Sequence, residues 1–220
     1  MGRILVGISS WAELVPSGFY PADVKTPEAR LSYYASQFPI AEIDSSYHFF
    51  LTQRNLKLWL ENTPEDFTFN VKAFSLFTQH PTPFNSLPRT IREKFGDKLP
   101  SKTNLYWQHF PVEAVEELWV IFAHTVESFH LAGKLGAVLF QFPPWFHPNP
   151  QNYDYIASCR ERLSPYQVAV EFRVGNWLER HKEETLDFLR RLGIALVCVD
   201  EPQGFKSSVS AVTEVTTPLA

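Results

Sequence analysis

The feature that most constrains this chain is an alternation along its length. Short apolar runs of strand length take turns with longer stretches whose apolar residues recur every three or four positions. The first pattern suits strands and the second suits helices, so together they predict βαβ units, which require a parallel sheet with helices laid over it. Six units are legible. The first strand is expected at residues 4–8, before a helix that Thr26 caps and Pro27 opens, with Leu31, Tyr34, Ala35 and Phe38 on one face. The second strand ends in Ala41-Glu42-Ile43-Asp44, and its helix carries Leu56, Trp59 and Leu60 before Thr63-Pro64 stops it. The third, residues 67–73, alternates cleanly, which puts Thr68, Asn70 and Lys72 on one face and Phe69 and Val71 on the other.

The plainest helix carries Val115, Leu118, Trp119, Phe122, Val126 and Phe129 and closes at Gly133. A fourth strand at residues 137–142 is apolar almost throughout, as a strand covered on both faces should be, and Pro143-Pro144 ends it. The fifth is expected at residues 168–173 and the sixth at residues 195–199, ending at Asp200. Residues 78–111 show no strong period and hold Pro81, Pro83, Pro88, Pro100 and Pro111. A stretch of that kind reads as a long loop or lid over the carboxyl ends of the strands.

A chain of 220 residues, 45% of them hydrophobic, can bury one sizeable core, so residues 1–220 are read as a single domain. The formal net charge of −4 offers no general attraction to phosphate backbones or anionic membranes, which makes nucleic acid a minority partner. The apolar run at residues 4–8 is too short for a signal-peptide core or a membrane span. Two cysteines, Cys159 and Cys198, lack the closely spaced thiols or histidines of a zinc site. A cytoplasmic protein with no resident metal or cofactor, acting on a small-molecule ligand, is the expectation.

Several segments resemble one known family in order along the chain. Gly7-Ile8-Ser9-Ser10-Trp11, Phe19-Tyr20-Pro21, Glu42-Ile43-Asp44-Ser45-Ser46-Tyr47 and Phe69-Asn70-Val71-Lys72-Ala73 are similar to motifs of the DUF72 (YecE-like) family, as are Thr78 and His80 with Gln79 inserted between them. Residues 135–144 (LGAVLFQFPP) and Val170-Glu171-Phe172-Arg173 are the most specific matches. The resemblance implies a parallel (β/α)8 barrel of TIM type, with about six of its strand–helix units in this chain, and carries no established reaction. Two departures stand out. Val174 and Gly175 occupy positions where the family has His and a small residue, and the chain stops where the seventh strand is expected. The barrel is therefore expected to be incomplete at its carboxyl end, with the gap filled by a separate C-terminal fragment, a second copy, or the tail over residues 201–220.

In parallel α/β barrels the loops after the strands build the active site. Ser9, Glu42, Asp44, Lys72, Gln141, Glu171, Arg173 and Asp200 all end strands in this reading, so they are expected to converge. Glu42, Lys72 and Glu171 are the candidates for catalysis, because two carboxyl groups in different surroundings can divide proton donation and removal while an ammonium anchors charge. Ser9, Trp11, Asp44, Tyr47, His80, Gln141, Arg173, Trp177 and Asp200 are the candidates for binding substrate. Each has a structural alternative: a Glu171–Arg173 ion pair and aromatic packing under loops are ordinary. The leading expectation is a cofactor-independent hydrolase, lyase or isomerase acting on a sugar, sugar phosphate or nucleoside-like molecule. The alternatives are a non-catalytic ligand-binding or scaffold protein and a nucleic-acid processing barrel.

Overall fold

The computed structural model describes residues 4–204 and 208–218. Its strands are β1 (Gly7–Ser9), β2 (Ile40–Ile43), β3 (Thr68–Lys72), β4 (Thr82–Pro83), β5 (Asn104–Leu105), β6 (Leu135–Phe142), β7 (Val168–Phe172) and β8 (Ala195–Leu196). Six of them form one parallel sheet in the order β1-β2-β3-β6-β7-β8, while β4 and β5 pair antiparallel. The helices are α1 (Pro27–Gln37), α2 (Ser45–His48), α3 (Gln53–Glu61), α4 (Arg89–Phe95), α5 (Val112–Leu131), α6 (Pro150–Arg162) and α7 (Lys182–Leu192).

Period two sorts the sheet into two chemically different faces. Ala41, Ile43, Phe69, Val71, Val138, Phe140, Phe142, Val168, Val170 and Phe172 are each at most 1% exposed, and the helices cover them. Phe129 of α5 lies against Phe69, Trp119 stacks on Phe140 and on Phe77, and Tyr155 of α6 meets Phe142 edge-on. The parallel register places Ser9, Glu42, Asn70, Lys72, Gln141 and Glu171 on the opposite face. That face is where polar groups gather.

Two glycines are fixed by close approach of backbones. A Cβ on Gly7 would stand 2.0 Å from the Ile40 carbonyl oxygen, so only glycine lets β1 come this near β2. The buried Tyr34 hydroxyl of α1 closes the same seam: it accepts from the Ile8 amide at 2.9 Å and donates to the Ile40 carbonyl at 2.8 Å. Between β3 and β6 the register slips between Phe69 and Val71, and the Asn70 side-chain oxygen fills the break by accepting from the Ala137 amide at 2.9 Å. A Cβ on Gly136 would lie 2.4 Å from that oxygen. The bulge therefore needs both residues.

The edge strands are shorter than the apolar runs predict. β1 starts at Gly7, with Ile4 90% exposed and Val6 62% exposed, and β8 stops at Leu196. An edge strand has a neighbour on one side only, so it is hydrogen-bonded only where that neighbour reaches. On the open side of β8 the buried Thr216 hydroxyl accepts from the Leu196 amide at 2.8 Å and donates to the Ile194 carbonyl at 2.7 Å. One side chain thus supplies what a paired strand would. Residues 78–111 are also more built than their sequence suggests: α4 packs on α5, β4 pairs with β5, and Leu87, Ile91, Phe95, Leu105 and Phe110 are buried. Their order comes from apolar residues spaced by turns, which no single period reveals.

Candidate functional site

The carboxyl ends of β2 and β3 are tied together before any functional group is placed. Buried Ser46, in the first turn of α2, sets its hydroxyl 2.7 Å from the Ile43 carbonyl and 2.6 Å from the Lys72 carbonyl. Lys72 leaves β3 on the polar face and donates from Nζ to Asp44 Oδ1 at 2.8 Å, with its ammonium 5.5 Å from the centre of the Tyr47 ring. Asp44 heads α2 rather than continuing β2, and its other oxygen lies 3.7 Å from His48 Nε2. Burial, with the Asp44 charge beside it, pushes the Tyr47 hydroxyl up to about 12. It is a neutral donor at any physiological pH.

His80 joins this group through a kink. Gln79 adopts a left-handed conformation, φ 59°, so Thr78 and His80 turn to the same side, and His80 Nδ1 lies 2.9 Å from Thr78 Oγ1. That hydroxyl already donates to the Ser75 carbonyl at 3.1 Å, so it accepts from Nδ1–H of His80 and leaves Nε2 with a bare lone pair. Burial first, and the Lys72 charge second, hold the His80 pKa down to about 4. The ring stands 5.3 Å from Tyr47 and 5.7 Å from Trp145, an exposed residue.

Further along the same face of the sheet, a second set forms at β6 and β7. Glu171, 6% exposed, accepts at one oxygen from Gln141 Nε2 at 2.7 Å and from Arg173 Nε at 2.5 Å. Arg173 also reaches Glu201 at 3.3 Å, and Glu201 in turn accepts from the Val209 amide at 2.7 Å. Glu42 connects the two sets. Its pKa is raised, chiefly because burial disfavours the carboxylate, with the charges of Glu171 and Asp44 adding to the rise and Lys72 opposing it. Among the described residues its carboxyl group has no hydrogen-bond or ion-pair partner.

A cavity of about 470 Å³, lined in part by Glu42 and Asp44, opens among the turn Trp11–Ser17, the start of α1 and α3. Trp11 and Trp59, in edge-to-face contact at 5.2 Å, form one wall of it, and Ser10, Glu28, Arg54 and Asn55 supply polar groups. Ser10 is itself left-handed, φ 61°, donating its amide to the Glu42 carbonyl at 3.0 Å. Lys72, Gln141, Glu171 and Arg173 do not line this cavity.

The expected site residues therefore divide. Glu42, Asp44, Tyr47, Lys72 and His80 come together, Gln141, Glu171 and Arg173 form the adjoining group, and Ser9 sits exposed at the β1 end opposite Glu42. Trp11 is mostly buried against Trp59 and Phe69 and shows only part of itself to the cavity. Trp177 belongs elsewhere: it is fully buried, stacks on Phe146 and Phe172, and donates its indole N–H to the Phe146 carbonyl at 2.6 Å. The turn Gly175–Trp177 folds its ring back beneath the sheet, so it is core. Asp200 lies exposed, past the end of β8, because the strand on which its inward direction depended stops at Leu196. Val174 packs against the core. Glu28, Arg54, Asn55 and Glu201 had no signal in the sequence, since each is ordinary for its helix or loop. Among the described residues no three His, Cys, Asp or Glu side chains gather as a metal site, and no helix is long and apolar enough to cross a membrane.

A parallel sheet with helices over one face and a mixed carboxylate, ammonium and guanidinium cluster at its carboxyl ends defines an α/β protein of TIM-barrel type. Comparisons with known proteins carry this to a family. The family described as "Protein of unknown function DUF72" matches residues 5–220, and the chain belongs to it. UPF0759 protein YunF of Bacillus subtilis (strain 168) is 31% identical over 215 residues, which are 97% of this chain and 66% of YunF. The chain thus spans just under two thirds of that relative. A solved DUF72 family protein from Enterococcus faecalis V583 is similar in fold, with a TM-score of 0.73 and 23% identity over 99% of this chain and 71% of that one. Another, from Thermotoga maritima MSB8, has a TM-score of 0.66 and 29% identity over 97% of this chain and 70% of that one.

Proposed function

We propose that the carboxyl-end cluster performs acid–base chemistry on a small polar substrate, with Glu42 as the group that moves the proton. The observation that carries this reading is the state of Glu42: half-buried, raised in pKa, and without a hydrogen-bond partner among the described residues. A carboxyl group kept only to hold the fold would be expected to have its lone pairs occupied. One that is desolvated, unpaired and beside a cavity has its proton available for transfer.

The neighbours then take different parts. Glu171 is held at one oxygen by Gln141 and Arg173, so its part is to raise the Glu42 pKa through its charge rather than to serve as a second acid. Lys72, neutralised by Asp44, is a hydrogen-bond donor and anchor for a developing negative charge. Neutral His80 offers Nε2 as an acceptor, and the Tyr47 hydroxyl offers a donor. This division supports a cofactor-independent hydrolase, lyase or isomerase working on a sugar, sugar phosphate or nucleoside-like molecule.

The test is turnover. Purified protein is incubated with mixed small polar metabolites, and substrate loss is followed by mass spectrometry against the Glu42→Gln variant. Glu42→Gln keeps the shape but cannot exchange a proton, so the activity should fall by about 100-fold or more. Equal turnover in the two proteins would refute the assignment.

A further inference from the structure

The cavity walled on one side by Trp11 and Trp59 is not needed to explain how Glu42 moves a proton, yet Glu42 is among the residues that line it. Its walls combine two kinds of surface. Trp11, Trp59, Leu31 and Leu58 present apolar and aromatic faces, while Ser10, Glu28, Glu42, Asp44 and Asn55 present hydrogen-bonding groups that are mainly acceptors. Its volume of about 470 Å³ falls within the range of small-molecule sites.

The charges decide between candidate ligands. Three carboxyl groups, Glu28, Glu42 and Asp44, line the cavity against one guanidinium, that of Arg54. Lys72 compensates Asp44, which leaves Glu28 and Glu42 facing Arg54. The balance is neutral to negative according to whether Glu42 holds its proton. A phosphoryl group brings a charge of about −1.5 to −2, and it would gain Arg54 only by approaching these carboxyl groups. The end of α3 adds little for an anion, because Thr52 Oγ1 already takes the Asn55 amide at 3.1 Å. A nucleobase would use the aromatic wall but would leave most of the acceptors without donors. A sugar ring fits both surfaces: its C–H face lies on an indole and its hydroxyl hydrogens go to carboxylate and amide oxygens.

We infer that this cavity is the binding pocket for an uncharged sugar ring, held on Trp59 with its hydroxyls donated to Glu28 and Asp44, and carrying no phosphate. This rests on the reading of Glu42 as the proton-transfer group, and it narrows the substrate class of that site. The functional point is proximity, since Glu42 lines the cavity in which the ring is seated while Lys72 and His80 do not.

The test is a binding panel of neutral mono- and disaccharides with the 6-phosphates of the same hexoses, read by saturation-transfer NMR and titrated by tryptophan fluorescence. At least one neutral sugar should bind in the millimolar range or tighter, with its phosphate at least 10-fold weaker. Trp59→Leu and, as a variant that leaves the packing of Trp11 undisturbed, Glu28→Gln should each weaken binding 5-fold or more. The inference is overturned if no neutral sugar binds, if the phosphates bind more tightly and Arg54→Gln abolishes that preference, or if both cavity variants bind as the parent does. The two readings fail separately. Sugar binding that needs Trp59 and Glu28 without any Glu42-dependent turnover leaves the pocket standing and removes the acid–base reading, whereas Glu42-dependent turnover unchanged by the cavity variants does the reverse.

Discussion

The protonation state of His80 is set by its neighbours. Thr78 spends its hydroxyl hydrogen on the Ser75 carbonyl, so Nδ1 of the histidine carries a proton, and the lowered pKa leaves the ring neutral with that proton as its only one. Its pKa of about 4 in the folded chain stands below the ordinary 6.5 it regains on unfolding. Between these values the unfolded chain binds more protons, so stability is present above about pH 6.5 and is lost as the pH falls towards 4. At 1.36 kcal/mol for each pH unit, the loss from this group between pH 7 and pH 5 is about 2 kcal/mol. His80→Asn removes the titration while its side-chain amide still donates to Thr78. Urea unfolding of both proteins at the two pH values isolates the term, since contributions common to both cancel. The stability gap between parent and variant should shift by about 2 kcal/mol in favour of the variant at pH 5. Long-range 1H–15N correlation spectra report the tautomer directly. A His80 pKa near 6.5, or a proton on Nε2, would refute the reasoning.

Four further outcomes are expected. Gly7→Ala should cost about 3 kcal/mol or more in urea unfolding, because its Cβ would meet the Ile40 carbonyl oxygen and force β1 from β2. Arg173→Gln should cost about 1 to 3 kcal/mol, between a surface and a buried ion pair, since Glu171 is buried while the Arg173 side chain is 37% exposed; Glu201→Gln should cost under about 1 kcal/mol. Lys134→Met should cost about 2 to 4 kcal/mol and raise amide exchange at the end of α3, because Nζ of buried Lys134 donates to Leu60 O, Thr63 O and Thr63 Oγ1 at 2.7 to 2.8 Å.

Much of the site could be read from strand ends. Lys72, Gln141 and Glu171 lie on the polar face because period two leaves no choice once Val71, Phe140 and Phe172 are buried on the other. The same reasoning stopped working past the strand ends. Trp177 and Asp200 both follow apolar runs in the sequence, but one is turned into the core by a single turn and the other is freed by an early strand end. Thr78 and His80 look misaligned until Gln79 turns left-handed and brings them together.

What the sequence determined by itself is the order of the six sheet strands and of the longer helices between them, the parallel sheet they make, and which residues of each strand share a face. These follow from local periodicity, which is written in consecutive residues. Tertiary structure decided the rest: that a threonine twenty residues away serves the edge of β8, that Glu201 joins Arg173, and that Arg54 and Trp59 of α3 line one cavity with Trp11 and Glu42. Contacts of this kind depend on where loops and helices pack in space, and no residue carries a local mark of the partner it will find.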